Sequence, residues 1–432
     1  MAVSQLKTIQ DNVNQLMSAL QTKGSDYELE AWVQSKITSA NDKMTSAADY
    51  MKNSPSVSEA VDEKEGDDAN KVADLKTKLS KELSLFIENK DRCLLISENR
   101  PEWMISDLAI MLSKGITVPA YTTYVERDYE YLINDCNPSV VIVSDSLQYN
   151  KIKNIVKSKP FIKKIFSFEE IKDANEVIYV KNIFEKKKYQ EKNFLDLDIS
   201  RKDLACIIYT SGTQGNPKGV MLSHGGILSN CEGALFLLKE FISKKARFLT
   251  WLPLSHSYEH TVQFVQIALG ARVFYAESID KLIKNMGECN PDIMTAVPRF
   301  YQNLYQKINA SFNKTKGLKK YLINKMLSLG EKVLFKNKLS KLEKVQNIIC
   351  EKLVRKKIKA QFGGSLKLFI SGGGALDKDV GVFLNAIGLP TLQGYGLTET
   401  SPVVSCNPKD DIRIDTVGPA FAANEIKIAD DG

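Results

Sequence analysis

The sequence is poor in histidine: only His224, His256 and His260 occur among 432 residues. Three scattered imidazoles argue against a histidine-rich metal centre. No apolar run approaches the roughly 18 residues needed to span a bilayer. The opening stretch, "MAVSQLKTIQDNVNQLMSAL", places Gln, Asp and Asn where a secretory leader needs an unbroken apolar segment. Cys93, Cys136, Cys206, Cys231, Cys289, Cys350 and Cys406 lie far apart with no Cys-x-x-Cys pair, the pattern of reduced thiols in a cytoplasmic protein. No Gly-x-Ser-x-Gly elbow accompanies Ser255–His256, so that dipeptide is not a hydrolase pair. The usual phosphate loop is missing too. It needs Gly, four residues, then Gly-Lys-Ser/Thr, whereas here Asn216 follows Gly215 and Gly219 follows Lys218.

What remains has the composition of an ordinary folded protein, 43% hydrophobic and 26% charged. Its length suits about three domains or subdomains of ~150 residues. The net charge of +7 is unevenly spread: Lys307–Lys359 holds sixteen Lys or Arg against Glu331, Glu343 and Glu351, leaving the rest of the chain acidic. Such a block reads equally as a patch attracting anionic lipid, nucleic acid or a phosphorylated ligand, and as a solvated helical surface.

Apolar residues at three- and four-residue spacing (Leu6, Ile9, Val13, Leu16, Met17, Leu20) predict a helical segment over 1–53. The polar, acidic stretch that follows reads as a linker over 54–71. From Val72 the texture changes to helices alternating with short apolar runs: "CLLIS", "VVIVS", "ACIIYTSG", "FLTWLPL", "DIMTAVP", "LKLFISGGG" and "LPTLQGYG". That alternation predicts an α/β fold with mostly parallel sheets flanked by helices. Ligands in such folds sit beyond the carboxyl ends of strands, where three of these runs meet glycine-rich loops. The stretch 301–360 reads as basic helices broken at "KTKG" and "KNK", and "NEIKIADDG" at the end alternates like a strand entering a hairpin turn.

The loop after "ACIIY" carries the most chemistry. Thr210, Ser211 and Thr213 offer hydroxyls, Gly212 and Gly215 let backbone N–H groups approach an anion, and Lys218 adds a positive charge behind Pro217. A plain Gly/Ser surface loop is the competing reading, and phosphate binding is the better match to this composition.

"YTSGTQGNPKGVMLSH" resembles the signature loop of the adenylate-forming superfamily, which includes acyl-CoA synthetases, adenylation domains and luciferases; only Gln214 departs from its fixed positions. "QGYGLTETSPV", "SGGGALD", "WLPLSHSYEH", "ENRPEW" and "GITVPAYTTY" resemble further motifs of that superfamily, in order, from about Val72 to Gly432. The basic helical stretch and "PLSHSYEH" resemble long-chain fatty acid–CoA ligases in particular. The resemblance implies the large N-terminal domain of adenylate-forming enzymes over 72–432, with the start of a small β subdomain at its end.

It also implies a reaction. A fatty-acid carboxylate attacks the α-phosphate of ATP, pyrophosphate leaves, and coenzyme A takes the acyl group from the adenylate with release of AMP. By the resemblance, Thr210, Ser211, Gly212, Thr213, Gly215 and Lys218 hold phosphates, and Thr398 bonds the α-phosphate. Glu399 associates with magnesium. Gly373, Gly374 and Ala375 line adenine and the acyl carboxylate, while Tyr395, between Gly394 and Gly396, packs on adenine. His256, which on its own reads more readily as structural, stands by the resemblance at the mouth of the acyl tunnel, as an orienting group. His224 and His260 read as structural, and Trp251 and Tyr258 as core or tunnel wall. The implied partners are a fatty acid, ATP and CoA, not nucleic acid, with the basic block as a peripheral membrane contact; nothing in the sequence sets the oligomeric state.

The family continues past "IADDG" into a ribose-binding aspartate and a C-terminal domain carrying a catalytic lysine. These do not occur in the 432 residues, so the chain is expected to be a truncated piece that adenylates slowly by itself. Two alternatives stay open: adenylation of another carboxylate, and a non-catalytic acyl- or nucleotide-binding remnant.

Overall fold

The computed structural model describes residues 63–186, 198–210, 216–241, 245–422 and 424–430, with side chains from Asn70 onward. The helical segment expected over 1–53 and loop residues Ser211, Gly212, Thr213 and Gly215 lie outside the described residues. The chain divides at Asp67–Asp68, and the elements below belong to its second unit, with α1 (Glu63–Leu83) leading into it.

The first layer is built from β1 (Arg92–Ile96), α2 (Pro101–Leu112), β2 (Ile116–Ala120), α3 (Glu126–Cys136), β3 (Val140–Val143), α4 (Ser146–Lys157), β4 (Lys164–Ser167), β5 (Val177–Tyr179), α5 (Val180–Phe184), β6 (Leu204–Thr210) and β7 (Lys218–Ser223). Its strands order as β5-β4-β3-β1-β2-β6-β7. All pairs are parallel except β6–β7, a hairpin. Central parallel strands are apolar on both faces because helices cover both. Cys93 and Leu95 of β1 pack with α1 and α2, whereas Leu94 and Ile96 pack with α3 and α4.

The second layer comprises α6 (His224–Leu237), β8 (Arg247–Thr250), α7 (Ser257–Ala268), β9 (Arg272–Tyr275), α8 (Leu282–Cys289), β10 (Ile293–Ala296), α9 (Pro298–Asn313), α10 (Gly317–Leu334), α11 (Lys341–Cys350), α12 (Lys356–Ala360), β11 (Leu368–Ser371), α13 (Lys378–Ala386), β12 (Thr391–Gly396) and β13 (Val403–Cys406). These strands order as β13-β12-β11-β10-β8-β9, parallel except for β12–β13. Residues of α6 and α7 share one apolar cluster with Ala205 and Ile208 of the first sheet and Phe248, Ile293, Leu368 and Leu392 of the second. Helices α8, α9, α10 and α13 cover the second sheet's other face.

Every apolar run quoted above contains a strand, and the α/β class holds: two mostly parallel sheets flanked by helices. Two expectations need correction. Residues 424–430 form no strand, because no neighbouring strand among the described residues pairs their backbone groups. Helix α1 begins at Glu63, inside the stretch read as linker. The four-residue spacing of Leu75, Leu79 and Leu83 sets one apolar edge of that helix against the first sheet, and Leu79 and Leu83 are fully buried.

Candidate active site

A cavity of about 800 Å³ opens at the carboxyl ends of β6, β11 and β12, between the two sheets. Thr210, the last residue of β6, pairs across the hairpin with Lys218, the first of β7, so both reach the cavity mouth together. The hairpin is anchored from behind: the Tyr131 hydroxyl donates to the Pro217 carbonyl at 2.9 Å, and the Tyr209 hydroxyl bonds Asp135. Lys218 is exposed and has no acidic partner among the described residues.

After β11 the chain turns through Gly372, Gly373, Gly374 and Ala375 along the cavity. A Cβ on Gly372 would meet the Tyr258 ring at 2.8 Å, and the Tyr258 hydroxyl donates to the Ile370 carbonyl at 3.1 Å. That ring clamps the start of the loop. Gly373 takes φ +76°, the left-handed region natural to glycine. Gln393 braces the loop from β12, its side-chain oxygen accepting from the Leu376 N–H at 2.5 Å and its amide donating to the Thr416 carbonyl at 3.1 Å.

Strand β12 supplies the third wall. Its register with β13 shifts at Tyr395/Gly396, which turns the chain into a short helical turn, Thr398–Thr400. Gly394, Tyr395, Gly396, Thr398 and Glu399 line the cavity there, with Tyr395 half exposed. The Thr398 hydroxyl lies 2.9 Å from the Ser257 hydroxyl in the first turn of α7. Asn230 of α6 accepts from the Val403 N–H at 2.7 Å, tying the same wall to the helices.

His256 caps α7: the Tyr258 N–H donates to its Nδ1 at 3.2 Å, which leaves Nε2 to carry the neutral ring's proton at the cavity. Desolvation lowers its pKa below the usual histidine value, so the ring is neutral near pH 7. The loop before it is pinned by Asn99, whose amide donates to the Leu252 carbonyl at 2.7 Å while its oxygen accepts from the Leu254 N–H at 3.0 Å. His260 is different. It is buried, its Nε2 lies 2.8 Å from Asp107 Oδ2, and its ring stands edge-on to Trp103. Burial opposes its charge, but the Asp107 carboxylate raises its pKa to about 10. Behind the cavity wall, burial raises the Glu259 carboxyl to about 7, although the Thr295 hydroxyl donates to it at 2.7 Å.

Beyond this polar mouth the cavity is apolar, lined by Ala234, Leu237, Leu238, Phe248, Val262, Val265, Ile370, Leu392 and Phe421. Among the described residues the arrangement has one cation, several hydroxyls and open backbone at the mouth and hydrocarbon behind, which suits an anionic head joined to an apolar tail. Among the described residues no group of three His, Cys, Asp or Glu could hold a metal by itself. Magnesium does not need one: one or two carboxylates plus substrate phosphate oxygens suffice, and the exposed Glu399 fits that donor set.

The cavity thus gathers Thr210, Lys218, His256, Gly373, Gly374, Ala375, Gly394, Tyr395, Gly396, Thr398 and Glu399, from stretches far apart in sequence. His260 is a buried core group, and Trp251 donates its indole N–H to the Thr295 carbonyl against Phe300. His224 begins α6 and lines no part of the cavity. Sequence reasoning missed Ser257, Asn230, Gln393 and the apolar lining. Ser257 sits 141 residues from its Thr398 partner, and no local pattern signals such a pair.

The family model described as "AMP-binding enzyme" matches residues 71–432. Fatty acyl-CoA synthetase A of Dictyostelium discoideum is 32% identical over 81% of this chain and 52% of its own length. Long chain acyl-CoA synthetase 4 of Arabidopsis thaliana is 30% identical over 83% of this chain and 55% of its own. The chain therefore spans about half the length of the curated relatives it matches. ATP-bound MatB from Rhodopseudomonas palustris shares the fold, with a TM-score of 0.60 at 22% identity over 82% of this chain and 59% of that one.

Proposed function

Since the chain belongs to the AMP-binding enzyme family, we propose that it is the ATP- and acyl-binding part of a long-chain fatty acid–CoA ligase. The single observation that carries this reading is the one cavity that joins the polar mouth to the apolar interior. Lys218, with Thr210, faces the phosphates of ATP, and the Thr398 hydroxyl bonds the α-phosphate, held in place by Ser257. Tyr395 packs on adenine beside the open backbone of Gly373, Gly374 and Ala375, with Gly394 and Gly396 giving close approach. The fatty acyl chain lies against Leu237, Phe248, Val265 and Ile370, with its carboxylate near His256 Nε2–H. That neutral ring orients the carboxylate; the reaction needs no general base, because a carboxylate is already the nucleophile.

Magnesium, when bound, neutralises phosphate charge, and Glu399 is the residue that would hold it. The chain's own contribution to adenylation is positioning and charge stabilisation. Coenzyme A is the acyl acceptor. The seven unpaired cysteines support a cytoplasmic setting. No described helix is long and apolar enough to cross a membrane, and the basic region 307–359 supports peripheral contact with an anionic membrane surface.

Displacement of a fluorescent ATP analogue tests the nucleotide site. Lys218→Met is expected to weaken ATP binding about 10- to 100-fold, the loss of one charge-assisted contact. Unchanged affinity would remove Lys218 from the phosphate site.

A further inference from the structure

Helix α11 continues through a wider helical turn, Glu351–Arg355, into α12. Its inner side is firmly fixed. Cys350 and Ile358 are buried, and the buried Arg355 donates to the carbonyls of Ala386 at 2.8 Å and Met326 at 3.1 Å and to the Asn347 side-chain oxygen at 2.8 Å. The outer side is unexpected for a solvated helix. Leu342, Val345, Ile348, Ile349 and Leu353 are between 42% and 67% exposed. Leu342, Val345, Ile349 and Leu353 recur at three- and four-residue spacing, which places them along one stripe.

The charges around the stripe are equally one-sided. Its two acids are engaged: Glu343 with Lys332 at 2.6 Å, and Glu351 with Lys359 at 3.2 Å and Arg355 at 3.5 Å. Lys341, Lys344, Lys352, Lys356 and Lys357 are exposed and make no ion pair among the described residues. On the inner side the Cys350 thiol lies 3.9 Å from the Leu322 carbonyl, which packs α11 beside α10, where Leu318 and Tyr321 are also exposed. A contiguous apolar stripe rimmed by free cations is what an interfacial helix presents to anionic lipid: hydrocarbon contact from one set of residues, headgroup attraction from the other.

We propose that the Leu342–Leu353 stripe inserts into the interfacial layer of an anionic membrane, with the flanking lysines on the headgroups. This rests on the peripheral membrane contact proposed above and adds the inserting element to it. A neutral partner would not need the lysines, and a solvated surface would not need the apolar stripe.

Co-sedimentation of the full chain with phosphatidylcholine vesicles, with and without phosphatidylglycerol, tests the inference on three proteins: wild type, Leu342→Ser/Ile349→Ser/Leu353→Ser and Lys341→Glu/Lys352→Glu/Lys356→Glu. The expected result is wild-type binding to anionic vesicles only, weakened at least about tenfold by either triple change. Circular dichroism melting should be unaltered, because the changed side chains are exposed. If only the charge-reversed protein loses binding, the insertion is overturned while the electrostatic contact stands. Absence of vesicle binding by the wild type overturns both. A concentration-dependent dimer in sedimentation equilibrium that the serine variant abolishes, with vesicle binding unchanged, would assign the stripe to a second copy and likewise overturn the insertion.

Discussion

Gly372→Ala probes how tightly the cavity loop after β11 is positioned. The added methyl would lie 2.8–3.1 Å from three atoms of the Tyr258 ring. That ring cannot swing aside freely, since it is buried and its hydroxyl is bonded to the Ile370 carbonyl. The clash is thus with a fixed group, and overpacking of this kind costs about 1–3 kcal/mol. Relaxation would move the backbone of Gly373 and Gly374, where a displacement of about 1 Å in a functional loop can cost about 10²-fold in function. Gly374→Ala is the control for stability, because its nearest neighbour, Pro298, is 3.6 Å away. Urea unfolding should place Gly372→Ala about 1–3 kcal/mol below wild type and Gly374→Ala within about 0.5 kcal/mol of it. Adding Tyr258→Leu to Gly372→Ala should recover part of the clash energy, a positive coupling in the double-mutant cycle. Wild-type stability for Gly372→Ala, or no coupling to Tyr258, would refute the clamp.

Asp107→Asn should destabilise the fold by about 3–5 kcal/mol, the loss expected when a buried ion pair is broken. His260 has a raised pKa in the folded state, so the pair's contribution is complete below the unfolded histidine value and disappears as pH rises toward about 10; the deficit of the variant should shrink over that window in urea titrations. A raised carboxyl pKa acts in the same direction for Glu259: ionisation is penalised in the folded state, so stability should fall as pH rises from the ordinary carboxyl range to about 7 and level off above it. Between pH 5 and 8 the loss should reach roughly 2–3 kcal/mol, and Glu259→Gln should flatten the profile.

The parts of the fold that were legible in sequence are those governed by local rules. Runs such as "VVIV" of β3 are apolar at every position, and a parallel strand covered on both faces requires that. The hairpin partner β7 was not recognised as a strand, because "KGVMLS" has Gly219 where a strand former would be expected; the glycine is there because a side chain would meet Ile207 at 2.8 Å and Tyr209 at 3.2 Å across the ladder. Among cavity residues, those on glycine-rich loops could be named from motif chemistry. Ser257, Asn230 and Gln393 could not, since each acts on a partner brought close only by the stacking of the second sheet's strands and helices. The apolar lining was hidden for another reason: Leu237, Val265 and Ile370 look like core residues, and only the empty volume between them distinguishes a cavity wall from packing.

The central claim is that one cavity takes an adenylate head and a long apolar tail. Isothermal titration of the chain with non-hydrolysable sulfamoyl adenylates, in an alkanoyl series of increasing length and with benzoyl and aminoacyl heads, measures it directly. The account predicts affinity rising along the alkanoyl series, by about 0.8 kcal/mol for each buried methylene until the cavity is filled, with the benzoyl and aminoacyl compounds weaker. Equal affinity across lengths, or tightest binding of the benzoyl or aminoacyl adenylate, would contradict it.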